Sequence, residues 1–126
     1  MPYDETLADR MRSHCHPALV AAVAQACREF EPDLVQVEHA ELAPLAAHRT
    51  PGARWLLDLH DAYGADDFAH ADEAAAFAVS LSRYDAAIVC SKEDGELVAH
   101  PRTERIGNGA RVDAGAYRPS ASHGLL

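Results

Sequence analysis

The chain has 126 residues, of which 48% are hydrophobic and 25% are charged, and its formal net charge is -9. This length suits one small domain, and the negative charge argues against a nucleic-acid binder and against docking on an anionic membrane, because both need a basic surface. No apolar run approaches the roughly 20 residues of a membrane helix, and the N-terminus lacks an apolar signal-peptide core.

The first third of the chain predicts two helices and a strand. Apolar residues spaced by four indicate a short helix over 3–12. Pro17 suits the first turn of a second helix, and Pro32 stops it. The apolar stripe of this second helix comprises Leu19, Val20, Val23, Cys27 and Phe30. Residues 34–37 follow as a predicted strand.

The middle of the chain is organised around a predicted strand at 54–59. This strand is apolar on both sides, which is typical of an interior strand of a parallel sheet that is covered above and below. Its sides carry Trp55, Leu57 and Leu59 and, opposite them, Leu56, Asp58 and His60. A short helix over 41–48 and a turn at 50–52 precede the strand. An alanine-rich helix over 73–83 follows, with Asp72 as its expected N-cap.

The last part of the chain predicts two more strands. Residues 86–90 form an apolar run, and Ser91 stands where a helix N-cap belongs, with Asp94 three residues later as in a capping box. A final strand over 103–106 ends at Gly107-Asn108-Gly109, for which a tight turn with positive φ is expected. The alternation of helices and strands predicts an α/β fold with about four parallel strands.

Several polar residues follow the predicted strands. Ligands of open α/β sheets bind beyond the carboxyl ends of the strands, where His60, Asp61, Glu38 and Ser91 fall. An imidazole there can donate to a hydroxyl group of a ligand, although His60 bonded to a nearby carbonyl is the alternative. Asp61 and Ser91 have alternative roles as caps of the following turn and helix, and Glu38 as a turn partner.

The sequence predicts no metal site and no cofactor. His14-Cys15-His16 lacks a second ligand cluster at a fixed spacing, and no GxSxG, GxGxxG or P-loop motif occurs. The cysteines are Cys15, Cys27 and Cys90, which form no CxxC pair. Such a sparse, odd set favours reduced thiols and a cytoplasmic location.

Five motifs resemble, in order and spacing, a family of enzymes. They are DLVQVEHAELAPLA, RWLLDLHD, RYDAAIVCSKED, ERIGNG and VDAGAYRP. In this order they are similar to the retaining glycosyltransferases of group 1, or family 4, which have the two-domain GT-B architecture. The resemblance covers residues 16–119 and the second half of the acceptor-side, N-terminal domain. It implies a partial Rossmann-like domain over 1–119 and a tail or start of an interdomain linker over 120–126.

The resemblance also implies an activity and roles for particular residues. Such enzymes move a hexose from a nucleotide sugar to a saccharide or lipid-linked acceptor. His60 matches the family's catalytic-site histidine, and Glu38, Asp61 and Ser91 are expected on the acceptor side. Asn108 and Gly109 are expected near the interdomain hinge. The family's first strand and its donor-binding C-terminal domain have no counterpart here, so a fragment that is inactive alone is expected.

A non-catalytic interaction domain of Rossmann or flavodoxin-like type is the alternative function. Right-handed crossovers between sequential strands place every connecting helix on one face of the sheet. The other face is then uncovered unless the helix over 3–12 crosses it, and the strand over 34–37 has an open edge. An exposed apolar face and an unpaired edge both favour self-association.

Overall fold

The computed structural model describes residues 5–109, and these contain one parallel sheet with helices between its strands. The strands are β1 (Leu34–Glu38), β2 (Arg54–Leu59), β3 (Ala86–Val89) and β4 (Thr103–Arg105). The α-helices are α1 (Leu7–His14), α2 (Pro17–Phe30), α3 (Ala71–Leu81) and α4 (Lys92–Leu97), and 3-10 helices span Ala40–His48 and Ala65–Asp67. The predicted α/β fold with four parallel strands is confirmed. The expected tail over 120–126 lies outside the described residues.

The strands lie in sequence order, and their register places apolar side chains of neighbouring strands side by side on one face of the sheet. Val37 pairs with Leu57, and Leu57 pairs with Ala87. Trp55 and Leu57 have no exposed surface at all. Helices α1 and α3 and the 3-10 helix Ala40–His48 contribute the residues that cover this face, which include Leu7, Met11, Ala43, Phe77 and Leu81. The hydrophobic core therefore lies on one side of the sheet.

The other face of the sheet is open among the described residues, so the expectation that β2 is covered above and below is wrong. The expectation that the connecting helices lie on one face and leave the other uncovered holds for these residues. Leu56 and Ile88 are half-buried on this face, and Leu34 is 52% exposed. Polar side chains share the face, since Gln36 Nε2 donates to Asp58 Oδ2 at 3.4 Å. Helix α1 packs against the 3-10 helix Ala40–His48 and leaves the open face uncovered.

Local chemistry sets the helix ends, and α1 and α3 begin at residues other than those that the sequence predicted. Helix α1 begins after Thr6, whose side chain forms a capping box with Asp9. Helix α3 begins at Ala71 with His70 in the N-cap position, so the predicted N-cap at Asp72 is wrong. Asp72 lies in the first turn instead, where its carboxylate complements the helix dipole.

Helix α2 has the predicted bounds but a narrower buried stripe. Leu19 and Phe30 are exposed, although both were expected on the apolar face. The buried residues are Val20, Ala24 and Cys27. Glu31, with φ of 45°, ends the helix in a left-handed conformation, so the chain turns away just after Phe30.

A polar network ties the amino ends of β2 and β3 together. Asp85 Oδ2 accepts from the backbone N–H of Trp55 at 2.7 Å and from Arg49 Nη2 at 2.9 Å. The same guanidinium donates to the carbonyl of Ala53 at 3.1 Å. The N–H of Trp55, followed by Arg49, holds the pKa of Asp85 below its usual range. This network aligns the two strands and so positions their carboxyl ends at the opposite edge.

None of the helices between residues 5 and 109 combines the length and the apolar character needed to cross a membrane.

Candidate functional site at the carboxyl edge of the sheet

Two of the sequence-predicted site residues come together where β1 and β2 end. His60 Nε2 lies 3.8 Å from Glu38 Oε2. The side chains are 46% and 57% exposed, respectively, so both reach solvent. The parallel register brings them together, because Glu38 pairs with Asp58 and His60 lies two residues further along the same face. The pair can donate and accept hydrogen bonds at one point of the surface.

His39 joins this pair, and sequence reasoning missed it. Its ring stacks on that of His60 with centroids 4.4 Å apart and an angle of 24° between the ring planes. The potential ligand atoms of Glu38, His39 and His60 all lie within 4.8 Å of one another. These three residues form the edge cluster.

The backbone of His39 explains why the sequence did not reveal this contact. Successive side chains of a strand point to opposite faces, so His39 is expected to point away from Glu38. Its φ of 71° and ψ of 141° instead leave the extended region, while its N–H donates to the carbonyl of Asp58 at 2.9 Å. Positive φ is uncommon for residues other than glycine, and its clustering at functional sites is a general observation.

Two depressions flank the edge cluster. A small cavity of about 90 Å³ is lined by Asp58, Leu59, His60, Ile88, Cys90, Ile106 and Asn108. A second, of about 280 Å³, is lined by His14, His39, Glu41 and Leu42. A larger cavity of about 410 Å³ lies at the amino ends of the strands, between α2 and the turn at 51–52, away from the edge where α/β sheets bind ligands.

The remaining site predictions fall around the edge cluster. Asp61 is exposed, directly after His60. Asn108 lines the small cavity together with His60, whereas a Cβ on Gly109 would meet no atom within 4 Å. Their expected positive φ is wrong, since positive φ occurs among the described residues at Glu31, His39 and Gly52.

Ser91 acts as the N-cap of α4. Its Oγ accepts from the backbone N–H of Asp94 at 3.0 Å and donates to Asp94 Oδ2 at 2.6 Å. Cys90 Sγ lies 3.6 Å from the same carboxylate oxygen and 3.7 Å from the carbonyl oxygen of His60. Desolvation, and then the carboxylate of Asp94, raise the pKa of the Cys90 thiol, which is therefore a weak nucleophile at neutral pH.

A second polar network lies close to the edge cluster. Arg10 Nε lies 3.4 Å from Glu41 Oε1, and Arg10 Nη2 donates to the hydroxyl of Tyr63 at 3.0 Å. Burial, followed by the charge of Glu41, raises the pKa of Tyr63, so its hydroxyl stays protonated and available for hydrogen bonding. This network joins α1 to the 3-10 helix Ala40–His48 and to the segment after β2.

No family model matches the chain, and no curated protein or solved structure compared with it matches either.

Proposed function

We propose that this chain forms the second half of the acceptor-side domain of a retaining glycosyltransferase. The enzyme moves a hexose from a nucleotide sugar to a saccharide or lipid-linked acceptor. The observation that carries the proposal is the pairing of His60 with Glu38, at 3.8 Å, at the carboxyl edge of a parallel sheet. This is the position that the family resemblance assigns to the catalytic-site histidine.

The chemistry of this pair suits the recognition of sugar hydroxyls. The imidazole of His60 donates a hydrogen bond, and the carboxylate of Glu38 accepts one. Asn108 and Asp61 supply further polar groups beside them. Hexosyl transfer with retention depends on positioning the two sugars and on stabilising the positive charge of an oxocarbenium-like transition state. A carboxylate beside the reacting sugar can position it by accepting hydrogen bonds, and its negative charge can stabilise the positive charge of the transition state.

The donor nucleotide sugar belongs to the other domain in this proposal. The 126 residues contain no counterpart of the family's donor-binding domain. His60 then meets the acceptor or the transferred sugar from one side of the cleft, and the donor domain closes it from the other. The chain alone is proposed to be inactive.

Calorimetry with UDP-glucose tests the proposal. The chain is titrated alone and together with a C-terminal donor domain supplied from an enzyme of the family. We expect no heat of binding with the chain alone, and binding that is tighter with both domains present than with the donor domain alone. Equal binding by the donor domain with and without this chain, or strong binding by the chain alone, would contradict the proposal.

The open face of the sheet favours a second candidate, a non-catalytic interaction domain. Leu56 and Ile88 are half-buried there, and Leu34 is exposed. Apolar side chains on an uncovered face are typical of a surface that meets another protein. Leu56→Asn tests this candidate, because it should abolish association through the open face.

A further inference from the structure

We propose that the edge cluster of Glu38, His39 and His60 binds a divalent transition-metal ion such as Zn²⁺. Their potential ligand atoms lie within 4.8 Å of one another at the carboxyl edge of the sheet. The inference does not rest on the proposed glycosyl transfer, because it follows from the side chains and their placement alone. A bound ion would occupy His60 Nε2 and Glu38 Oε2 and so exclude their hydrogen bonds to a sugar.

The ligand types select the class of ion. Imidazole nitrogens suit Zn²⁺, Cu²⁺, Ni²⁺ and Fe²⁺, whereas Mg²⁺ and Ca²⁺ take oxygen ligands almost exclusively. Two histidines and one carboxylate form a ligand set that catalytic zinc sites use, with the fourth position left to water or to a substrate oxygen. The negative net charge of the chain further favours a cation over an anion at this surface.

The geometry requires only small side-chain movements. Ligand atoms on one tetrahedral zinc ion, at bonds of about 2.0–2.2 Å, lie roughly 3.4 Å from each other. Glu38 Oε2 and His60 Nε2 are already 3.8 Å apart. Both side chains are about half exposed, so rotations that bring their ligand atoms to one point displace no core residue. The stacked rings of His39 and His60 must tilt for their nitrogens to converge.

The backbone at His39 is a separate observation in favour of the site. Without its φ of 71°, the alternation of the strand would direct the ring to the other face. The chain therefore adopts an uncommon conformation at the residue that completes the ligand set. Strained residues of this kind occur mainly where a site requires them.

Metal titration of the full, untagged chain tests the site. Zn²⁺ is titrated by calorimetry at pH 7.5, and Co²⁺ by visible absorption, which reports the coordination geometry. We expect one strong site per chain. His39→Asn and His60→Asn should each weaken binding by more than about tenfold. Asn suits position 39 because it tolerates positive φ better than most residues.

His48→Asn is the matched control. His48 is also an exposed histidine, but it ends the 3-10 helix Ala40–His48, next to Arg49 and the amino-edge network. This variant should bind the ion as the parent chain does.

Two results would overturn the proposal. One is equal binding by the parent chain, His39→Asn and His60→Asn. The other is a thiolate-to-cobalt charge-transfer band, which would assign the ion to cysteines. Broadening by Co²⁺ of the ring resonances of His39 and His60 in the parent chain provides a readout that needs no variant. Its absence at saturating Co²⁺ also contradicts the site.

Discussion

At the scale of single residues, His60 lies outside the core because it comes one residue after β2 ends. Buried Leu59 precedes it, and the side chain of His60 is 46% exposed. Its partners, Glu38 and His39, are exposed as well, and contacts between exposed polar groups contribute little to folding stability. We therefore expect His60 to act through what it binds at the surface rather than through folding stability.

His60→Ala should affect turnover more than stability. We expect the free energy of unfolding to change by less than about 0.5 kcal/mol, as is usual for surface substitutions. In an enzyme completed with a donor domain, kcat should fall by about tenfold, the effect of losing one hydrogen bond to the reacting sugars. Thermal unfolding and initial rates measure the two effects, with His48→Ala as the control. Unchanged kcat with a large drop in Tm would show a structural role.

A comparison of the free energies of unfolding of His39→Gly and His39→Ala tests whether the backbone at position 39 is strained. Glycine is normally less stable than alanine within regular structure, but it adopts positive φ without steric cost. With φ at 71°, His39→Gly should be more stable than His39→Ala by about 1 kcal/mol. Urea unfolding of both variants measures the difference. The opposite order would mean that the chain relaxes to negative φ once the imidazole is removed.

At the scale of elements, the sequence pattern predicted the strands better than the details of their surroundings. Apolar runs located β1, β2 and β3 within one residue, because buried strands of parallel sheets require such runs. The apolar pattern alone did not show that one face is open, because Leu56 and Ile88 are as apolar as the residues of the covered face. The handedness of crossovers between sequential parallel strands did predict it, since it places every connecting helix on the same face.

The site was predictable in part for similar physical reasons. Strand ends and parallel register place Glu38 beside His60, and both can be read from the sequence. His39 could not be found in this way, because its place depends on one backbone dihedral. Ser91 and Asp94 matched a capping box, which correctly predicted the cap of α4.

The hydrogen bonds of the Asp85 carboxylate should be the main contact between β2 and β3 that is lost at low pH. Its pKa is lowered in the folded chain, so its contribution is present above its ordinary pKa near 3.8 and is lost as pH falls through the lower folded value. Asp85→Asn should lower the free energy of unfolding by about 1–3 kcal/mol at pH 7, and by much less at pH 2. Urea unfolding at both values tests this, with exposed Asp66→Asn as the control. A deficit that is equal at pH 7 and pH 2 would contradict the assignment.

At the scale of the whole molecule, the sheet carries its core on one side. The helices α1 and α3 and the 3-10 helix Ala40–His48 cover one face, and the described residues leave the other to solvent. Strand β1 is also at an edge of the sheet in the described part of the chain. An uncovered face with apolar residues and an unpaired strand edge are both surfaces through which proteins associate.

The chain should therefore self-associate at micromolar concentration. Light scattering should show dimers or larger species, and Leu56→Asn should reduce them because it removes an apolar group from the open face. Leu97→Asn is the control, since Leu97 is exposed at the end of α4 rather than on the open sheet face. A monomer that unfolds cooperatively and binds no dye for apolar surfaces would show that the open face is covered in solution.

We propose that His60, at the carboxyl edge, serves hexosyl transfer in a two-domain enzyme. Transfer of labelled hexose from UDP-glucose to saccharide acceptors tests it most directly, with the chain alone, the donor domain alone, and both together. We predict no transfer by either part alone, transfer by the combination, and about tenfold less with His60→Ala. Turnover by the chain alone, or equal rates for the combination with and without His60, would contradict the claim.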